Sequence, residues 1–378
     1  MELEIFSEIG PIEKVIVHPP GDEHSEVLPN HVQPYIEDQG KITKNEDFLL
    51  FDDIVDLKLA KKQHQIFKDI INFYKPNSCI EISSLFDDKQ YFDNLFRDSY
   101  PLINLMYTRD IAAIIGNNIF LTYSNSIVRR KESELSEILF NKTIFKNYKI
   151  IDFKKIGNGL SLEGGDIFVI NNEIVFIGIS ERTSIEAINL IIPYIFEQKF
   201  KHVIALDLPK KRSMMHLDTI FTQISNNEII LFDDSNNNSI NSLDVYLASK
   251  VNKNLNLEKV AMNILDLFKT FDFDFNIIKC GGNNSNFKLR EQLTDGANSF
   301  ALDTGKIIMY NCNDMTIREL EKNGYCHITS KLFKEDLKSF EKILRSKEKV
   351  VISIDGSELV KGRGGPRCMT LPIRRGNL

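Results

Sequence analysis

Cys368 stands in the stretch from Gly356 to Pro372, GSELVKGRGGPRCMTLP, just after a glycine-rich turn carrying two cations. Gly362, Gly364 and Gly365 are read as letting the backbone take positive φ and letting a ligand come close. Arg363 and Arg367 flank the thiol and are expected to favour its thiolate, the form that attacks electrophiles. Elsewhere, His216 and Asp218 are two residues apart, so an extended segment would aim both to one side. Glu163 precedes Gly164 and Gly165, and Asp110 follows Arg109. A thiol, an imidazole and several carboxylates make a Cys–His nucleophile pair with an orienting acid and anions to spare. Carboxylates alone raise a thiol's pKa, so the surplus points to a cationic substrate beside the sulfur.

These residues belong to polar clusters set just before or after short apolar strands. The clusters are Asn104 to Asp110, Ser161 to Asp166, Met214 to Thr219, Gly281 to Asn284 with Asp295 to Asn298, and the Cys368 turn. Between them one pattern recurs: two short strands, a tight polar turn, a helix, another strand. Ile167–Ile170 and Ile174–Gly178 form such a pair around Asn171-Asn172, and Ser184 is a plausible N-cap for the apolar-faced helix that follows. The pattern repeats after Thr219, with a predicted helix over Leu255–Phe271, and after Ser299, with a helix from Met315. An earlier copy begins near Ile114, with a helix over Glu132–Leu139. Apolar spacing predicts a helix from Ile54 to Tyr74 ended by Pro76, with His64 packed on it, and another over 334–347. Lys349–Ile354 is predicted as the last strand. Evenly spaced units suggest a repeat architecture that closes on itself. The polar stretch Asp22 to Asp47 is long for a structureless connection.

Composition sets the limits. The chain has 378 residues, 42% hydrophobic and 26% charged, which is ordinary for a globular protein with a large core. A net charge of −6 gives no global case for nucleic acid and mildly favours a small cationic substrate. The five cysteines lack CxxC or zinc-finger spacing, and the acidic N-terminus has no apolar signal segment. The expectation is a reduced, cytoplasmic protein with no membrane association. His18, His24 and His31 fit no zinc motif, so no metal is assigned. No GxGxxG follows a strand, so no organic cofactor is inferred.

TRD, LEGGD, MHLDT, REQ with a following DG.N, and GRGGPRCM occur in that order. From Gly10 to Pro372 the chain resembles the arginine deiminase family of guanidino-modifying enzymes. The resemblance implies one catalytic domain over 1–378: a five-bladed, pseudo-symmetric α/β propeller of ββαβ units with its site on the axis. It implies Cys368 as the nucleophile that forms a covalent amidino intermediate. His216 would be the general acid and base, and Glu163 its partner. Asp110 and Asp218 would grip the guanidinium. It also implies that Arg129, Arg182 and Asn104 bind the substrate α-carboxylate, that Arg363 lies near the thiol, and that the Leu50 backbone touches substrate. Two carboxylate-binding arginines favour free L-arginine, giving L-citrulline and ammonia. An amidinotransferase, a dihydrolase giving ornithine, and a hydrolase of another guanidino acid stay open. The partner is a small molecule, and homo-oligomer formation is undecided. The helical insertion common in bacterial members is expected to be largely missing around 54–104, and the 22–47 loop to be longer than usual.

Overall fold

A computed structural model describes residues 2–38, 40–86, 100–233, 239–251 and 253–378. Five mixed sheets share one construction: an antiparallel hairpin, a helix, and a strand that returns parallel to the hairpin. Ala112–Ile115 pairs with Asn118–Leu121, helix Arg130–Phe140 follows, and Ile150–Asp152 returns. Ile167–Val169 and Ile174–Ile179 lead through helix Ile185–Phe196 to His202–Asp207. Phe221–Ser225 and Glu228–Leu231 lead through helix Ile264–Lys269 to Asn276–Lys279. Phe300–Asp303 and Lys306–Tyr310 lead through helix Asp314–Lys322 to Cys326–Thr329, which joins the hairpin across Val350–Ile354. Both chain ends build the fifth unit. Leu371–Arg375 pairs antiparallel with Ile12–Val17, helix Leu57–Tyr74 follows, and Cys79–Glu81 runs parallel to Ile12–Val17.

Local chemistry explains these elements. Ala112–Ile115 and Val350–Ile354 are buried along their whole length, which is why they read as continuous apolar runs. The Asp56 side chain accepts from the Leu59 N–H and caps helix Leu57–Tyr74. That fixes its start three residues after the expected Ile54. Ser184 caps helix Ile185–Phe196 through the Ala187 N–H, as its sequence position predicts. His64 is wholly buried on the inner face of helix Leu57–Tyr74 beside Phe67.

Several expectations need correction. Leu255–Phe271 is not one helix. Asn254–Val260 is a strand paired with Val245–Ser249, and together they extend the sheet beyond His202–Asp207. Leu255, expected on an apolar helix face, is exposed on this strand, and Leu257 is buried. Only Ile264–Lys269 is helical, started by the Asn263 cap. The 334–347 helix is two, Ser330–Glu335 and Leu337–Ser346, divided at Asp336, which caps the second. The last strand is Leu371–Arg375, not Lys349–Ile354, so the chain returns to its own beginning after Cys368. The 22–47 stretch holds a hairpin, Tyr35–Asp38 with Lys41–Lys44. Part of the interval expected to lack the helical insertion, 87–99, lies outside the described residues. No helix among the described residues is long and apolar enough to cross a membrane.

Candidate active site

The loop before Cys368 is built by close approach. A Cβ at Gly362 would meet the Tyr107 hydroxyl at 2.4 Å, one at Gly364 the Tyr107 ring at 2.3 Å, and one at Gly365 the Asn298 carbonyl at 2.7 Å. Glycine is required here for space. None of these three has positive φ; the left-handed residue of the loop is Arg363, at φ 60°. Tyr107 donates to the Leu359 carbonyl (2.7 Å) and Tyr310 to the Gly364 carbonyl (2.9 Å), pinning the loop from two sides.

Cys368 is buried at the end of this loop. Its Sγ lies 3.4 Å from Asp218 Oδ2, and Asn298 Nδ2 donates to the sulfur at 3.1 Å. Arg367 turns away from the sulfur. Its Nε donates to Glu8 Oε1 and its Nη1 to Asp218 Oδ2, both at 2.9 Å, and its Nη2 donates to the Ile167 carbonyl at 2.7 Å. The guanidinium also lies 3.6 Å from the Phe168 ring centre. Arg363 pairs with Asp52 instead. Burial, then Asp218, Asp110 and Asp295, hold the thiol well above its ordinary pKa, and Arg367 offsets only part of this. Arg367 thus acts in the expected direction, toward the thiolate, but is outweighed in the free protein.

His216 is extended, but Leu217–Thr219 turns as a 3-10 helix, so the expected same-side strand geometry for His216 and Asp218 is replaced by a turn. Both still reach the site. Asp166 fixes this turn by accepting from the Leu217 N–H (2.9 Å) and the Ser180 hydroxyl (2.6 Å). Burial lifts Asp166 to about 7. His216 Nε2 lies 2.8 Å from Glu163 Oε2, and its Nδ1 lies 3.8 Å from Asp110 Oδ1. Burial pulls the imidazole down, but Asp110, Glu163 and Asp166 together push it up to about 10. Burial pushes Glu163 the other way, and Arg182 with His216 outweighs it, so its carboxyl is held below the usual range. Ser124 (2.7 Å) and the Asn125 N–H (3.0 Å) donate to the other Glu163 oxygen. The resting pair is an imidazolium on a carboxylate.

Arg129 is committed to acids. Nη1 donates to Asp110 Oδ2 at 2.7 Å, and Nε and Nη2 donate to Glu132 Oε2 at 2.9 and 2.8 Å. Burial lifts Glu132 to about 7 despite Arg129. The Gly165 N–H holds the other Asp110 oxygen at 3.0 Å. Arg182 is less engaged: Nη1 lies 3.7 Å from Glu163, and Nε, though buried, makes no hydrogen bond. Asn104 donates to the Leu49 carbonyl at 2.8 Å. Leu50 sits at φ 66°, and its carbonyl accepts from Arg212 Nη2 at 2.9 Å. Arg212 also pairs with Asp52 at 2.7 Å, so Arg212, Asp52, Arg363 and the Leu50 backbone form one cluster beside the inner site. Cys368, Asp218, Asp110, His216, Glu163, Arg129 and Arg182 form a second, buried network. Asn104 connects the two, because Arg129 Nη2 reaches its carbonyl at 3.4 Å.

Asn298, Asp166, Glu8 and Arg212 were not singled out from the sequence as site residues. The DG.N cluster that ends at Asn298 is the sequence signal that points to it. Glu8 lies some 360 positions from Arg367 and carries no local signal. Among the described residues, one group of acids and histidine is close enough to share a metal ion: Asp110, Glu163 and His216, with ligand atoms within 4.8 Å of one another. An imidazolium has no free lone pair, and Arg129 already occupies Asp110, so the group as charged here is suited to moving a proton.

The arginine deiminase family model matches residues 93–375. The chain is 29% identical to arginine deiminase of Listeria monocytogenes serotype 4b over 447 residues, covering 100% of this chain and 98% of the relative. That alignment is longer than the chain, so the relative carries stretches with no counterpart here. Arginine deiminase of Borreliella burgdorferi is 30% identical, covering 99% of this chain and 97% of the relative. Three solved structures share the α/β fold at low identity. The N-terminal domain of ArgZ, a cyanobacterial arginine dihydrolase bound to product, has a TM-score of 0.58 at 12% identity and covers 97% of this chain and 98% of its own. SxtG, an amidinotransferase from Microseira wollei, has a TM-score of 0.58 at 13% and covers 100% and 98%. A dimethylarginine dimethylaminohydrolase adduct has a TM-score of 0.53 at 17% and covers 95% and 99%. With a family model spanning most of its length and relatives aligned end to end, this chain belongs to the arginine deiminase family.

Proposed function

We propose that the protein hydrolyses a guanidino C–N bond of free L-arginine, giving L-citrulline and ammonia through a covalent intermediate on Cys368. One observation carries the reading. A buried thiol faces a carboxylate, Asp218, whose Oδ1 is buried without a hydrogen-bond partner, while a carboxylate-held imidazolium stands by the second acid, Asp110. A guanidinium is planar, forked and always charged, and two carboxylates fit it through paired hydrogen bonds. Its charge would offset the acids that, with burial, hold the sulfur protonated; the thiol would pass its proton by way of Asp218 Oδ2, 3.4 Å away, to water and attack the guanidino carbon. His216 then gives its proton to one amino group, which leaves as ammonia, and the carbon stays bound to sulfur as an amidino group. The neutral imidazole next takes a proton from water as the oxygen attacks. Collapse expels the sulfur as a thiolate, the remaining hydroxyl proton passes to it and restores the thiol, and the neutral ureido product leaves. Arg182 and Arg129, with Asn104, hold the α-carboxylate. Arg129 must share itself between that role and Asp110.

The five hairpin–helix–strand units are read as the blades of one propeller, with these residues supplied from blade ends around its axis. All five cysteines are free thiols, in keeping with a reducing, cytoplasmic setting.

Incubation with L-arginine, assaying citrulline, ornithine and ammonia together, tests the reading. Equimolar citrulline and ammonia from the native protein, and none from Cys368→Ala, is the expected result. Ornithine with excess ammonia would make it a dihydrolase. Turnover that requires an acceptor amine would make it an amidinotransferase. Undiminished turnover by Cys368→Ala would remove the covalent step.

A further inference from the structure

We propose that Asn298 is a further catalytic residue, one that donates a hydrogen bond to the nucleophilic sulfur and sets its attack. The inference rests on Cys368 being the nucleophile and concerns the same site.

The amide orientation is fixed by its neighbours. The Cys368 backbone N–H can only donate, and it lies 3.1 Å from Asn298 Oδ1. The Asp218 carbonyl can only accept, and it lies 3.2 Å from Asn298 Nδ2. Oxygen and nitrogen are therefore assigned without appeal to the sulfur. The second Nδ2 hydrogen is left for Cys368 Sγ at 3.1 Å. Both donor hydrogens and one acceptor position are used, and the side chain is completely buried.

Asn298 also shapes the loop. Its carbonyl accepts from the Arg367 N–H at 3.4 Å, and its own atoms leave no room for a Cβ at Gly365. One residue thus holds the nucleophile at its backbone, at its sulfur and at the turn before it. The charged groups around the sulfur are Asp218, Asp110 and Asp295 against Arg367, and Arg367 is bonded to Glu8 and Asp218. The amide N–H is therefore the donor that contacts the sulfur itself. A neutral donor strengthens as its acceptor becomes an anion. It favours the thiolate when the substrate cation arrives and receives the sulfur again when the product leaves.

The test uses Asn298→Asp and Asn298→Leu in the full chain. Asp keeps the acceptor for the Cys368 N–H and removes the donor to sulfur. Leu removes both at similar volume. Two readouts are taken. The first is the pH dependence of Cys368 alkylation by iodoacetamide, mapped by mass spectrometry with Cys368→Ala as the blank. The second is kcat and KM with L-arginine.

Loss of a hydrogen bond to an ionised group is expected to lower alkylation at fixed pH and kcat by ~10- to 100-fold, with KM changed less than about threefold. Asn298→Ser, which keeps a short donor, is expected to recover part of the loss. Alkylation and kcat within twofold of native in Asn298→Asp, with the protein folded, would overturn the proposal. So would a loss confined to thermal stability. Alkylation is read on the protein without substrate. An alkylation shift in a protein inert toward L-arginine would leave the hydrogen bond standing and refute the proposed substrate. Undiminished turnover by Cys368→Ala would refute the nucleophile.

Discussion

Replacing Arg367 by Met should destabilise the fold strongly, and the loss should depend on pH in a defined direction. Arg367 is buried and bridges two buried acids, Glu8 and Asp218, each at 2.9 Å. Met keeps much of the length and the contact with Phe168 but leaves both carboxylates short of a cation. Among the described residues, Glu8 then keeps Arg109, at 3.7 Å, as its direct ion pair. Breaking one side of a buried pair costs ~3–5 kcal/mol, because the charge left behind is uncompensated.

The sign with pH follows from Glu8. Burial raises its pKa, but Arg367, Arg109 and Arg375 together hold it below the ordinary 4.5. A carboxylate with a depressed folded pKa contributes stability that is full above its unfolded value and is lost as pH falls through the folded value. Without Arg367 most of that contribution goes, so the gap between native and variant is widest above pH 4.5 and narrows in acid. Urea denaturation of both proteins at roughly pH 7 and pH 4 measures it. A deficit under ~1 kcal/mol at neutral pH, or one that grows toward acid, would refute the reasoning.

The His216–Glu163 pair makes a second pH prediction. The imidazolium contributes in full below its ordinary 6.5 and is lost as pH rises through about 10, whereas the depressed Glu163 contributes in full above 4.5 and is lost in acid. Thermal unfolding of native against Glu163→Gln should therefore differ most between pH 4.5 and 6.5, and a difference that peaks above pH 10 would contradict it. Arg182→Ala should raise KM for L-arginine ~10-fold or more while leaving agmatine, which has no carboxylate, within a few fold; equal losses on both would separate Arg182 from the carboxylate. Asp56→Ala should cost ~0.5–2 kcal/mol in urea denaturation by removing the cap on helix Leu57–Tyr74, without altering kcat.

The repeating unit was legible because hairpins announce themselves through local turn chemistry. Asn171-Asn172 and Thr304-Gly305 do so within a few residues. What closes the fifth unit, built from both chain ends, was not legible. Leu371–Arg375 pairs with Ile12–Val17 across almost the whole chain, and no short-range signal records such a partner. The helix misread over Leu255–Phe271 failed for a related reason. Its apolar residues suit either period, and the choice was made by Val245–Ser249, a strand whose exposed edge Asn254–Val260 covers. The chemistry-bearing residues stood out by type, but their charge states did not. Arg367 looked like an activator of its neighbour Cys368, yet its guanidinium is bound to Glu8, which only the fold brings near.

That difference changes how the site must work. Were Arg363 and Arg367 directed at the sulfur, the nucleophile would be armed before substrate arrived, and any electrophile could consume it. Arg363 is instead held by Asp52 and Arg367 by Glu8 and Asp218, while burial and then the acids around Cys368 favour the thiol. On the proposed reading, a cation delivered between Asp110 and Asp218 would reverse that balance where it is needed. Such a site discriminates by charge. A neutral analogue of the same shape would add no positive charge beside the sulfur and would leave it protonated. Citrulline and neutral thioureido analogues of arginine should therefore fail to protect or to activate Cys368. Alkylation at fixed pH would read this directly: acceleration by a small guanidinium cation too short to block the sulfur, and none by an uncharged urea of equal size. Equal acceleration by both would mean that the sulfur is governed by shape and the surplus carboxylates have another purpose.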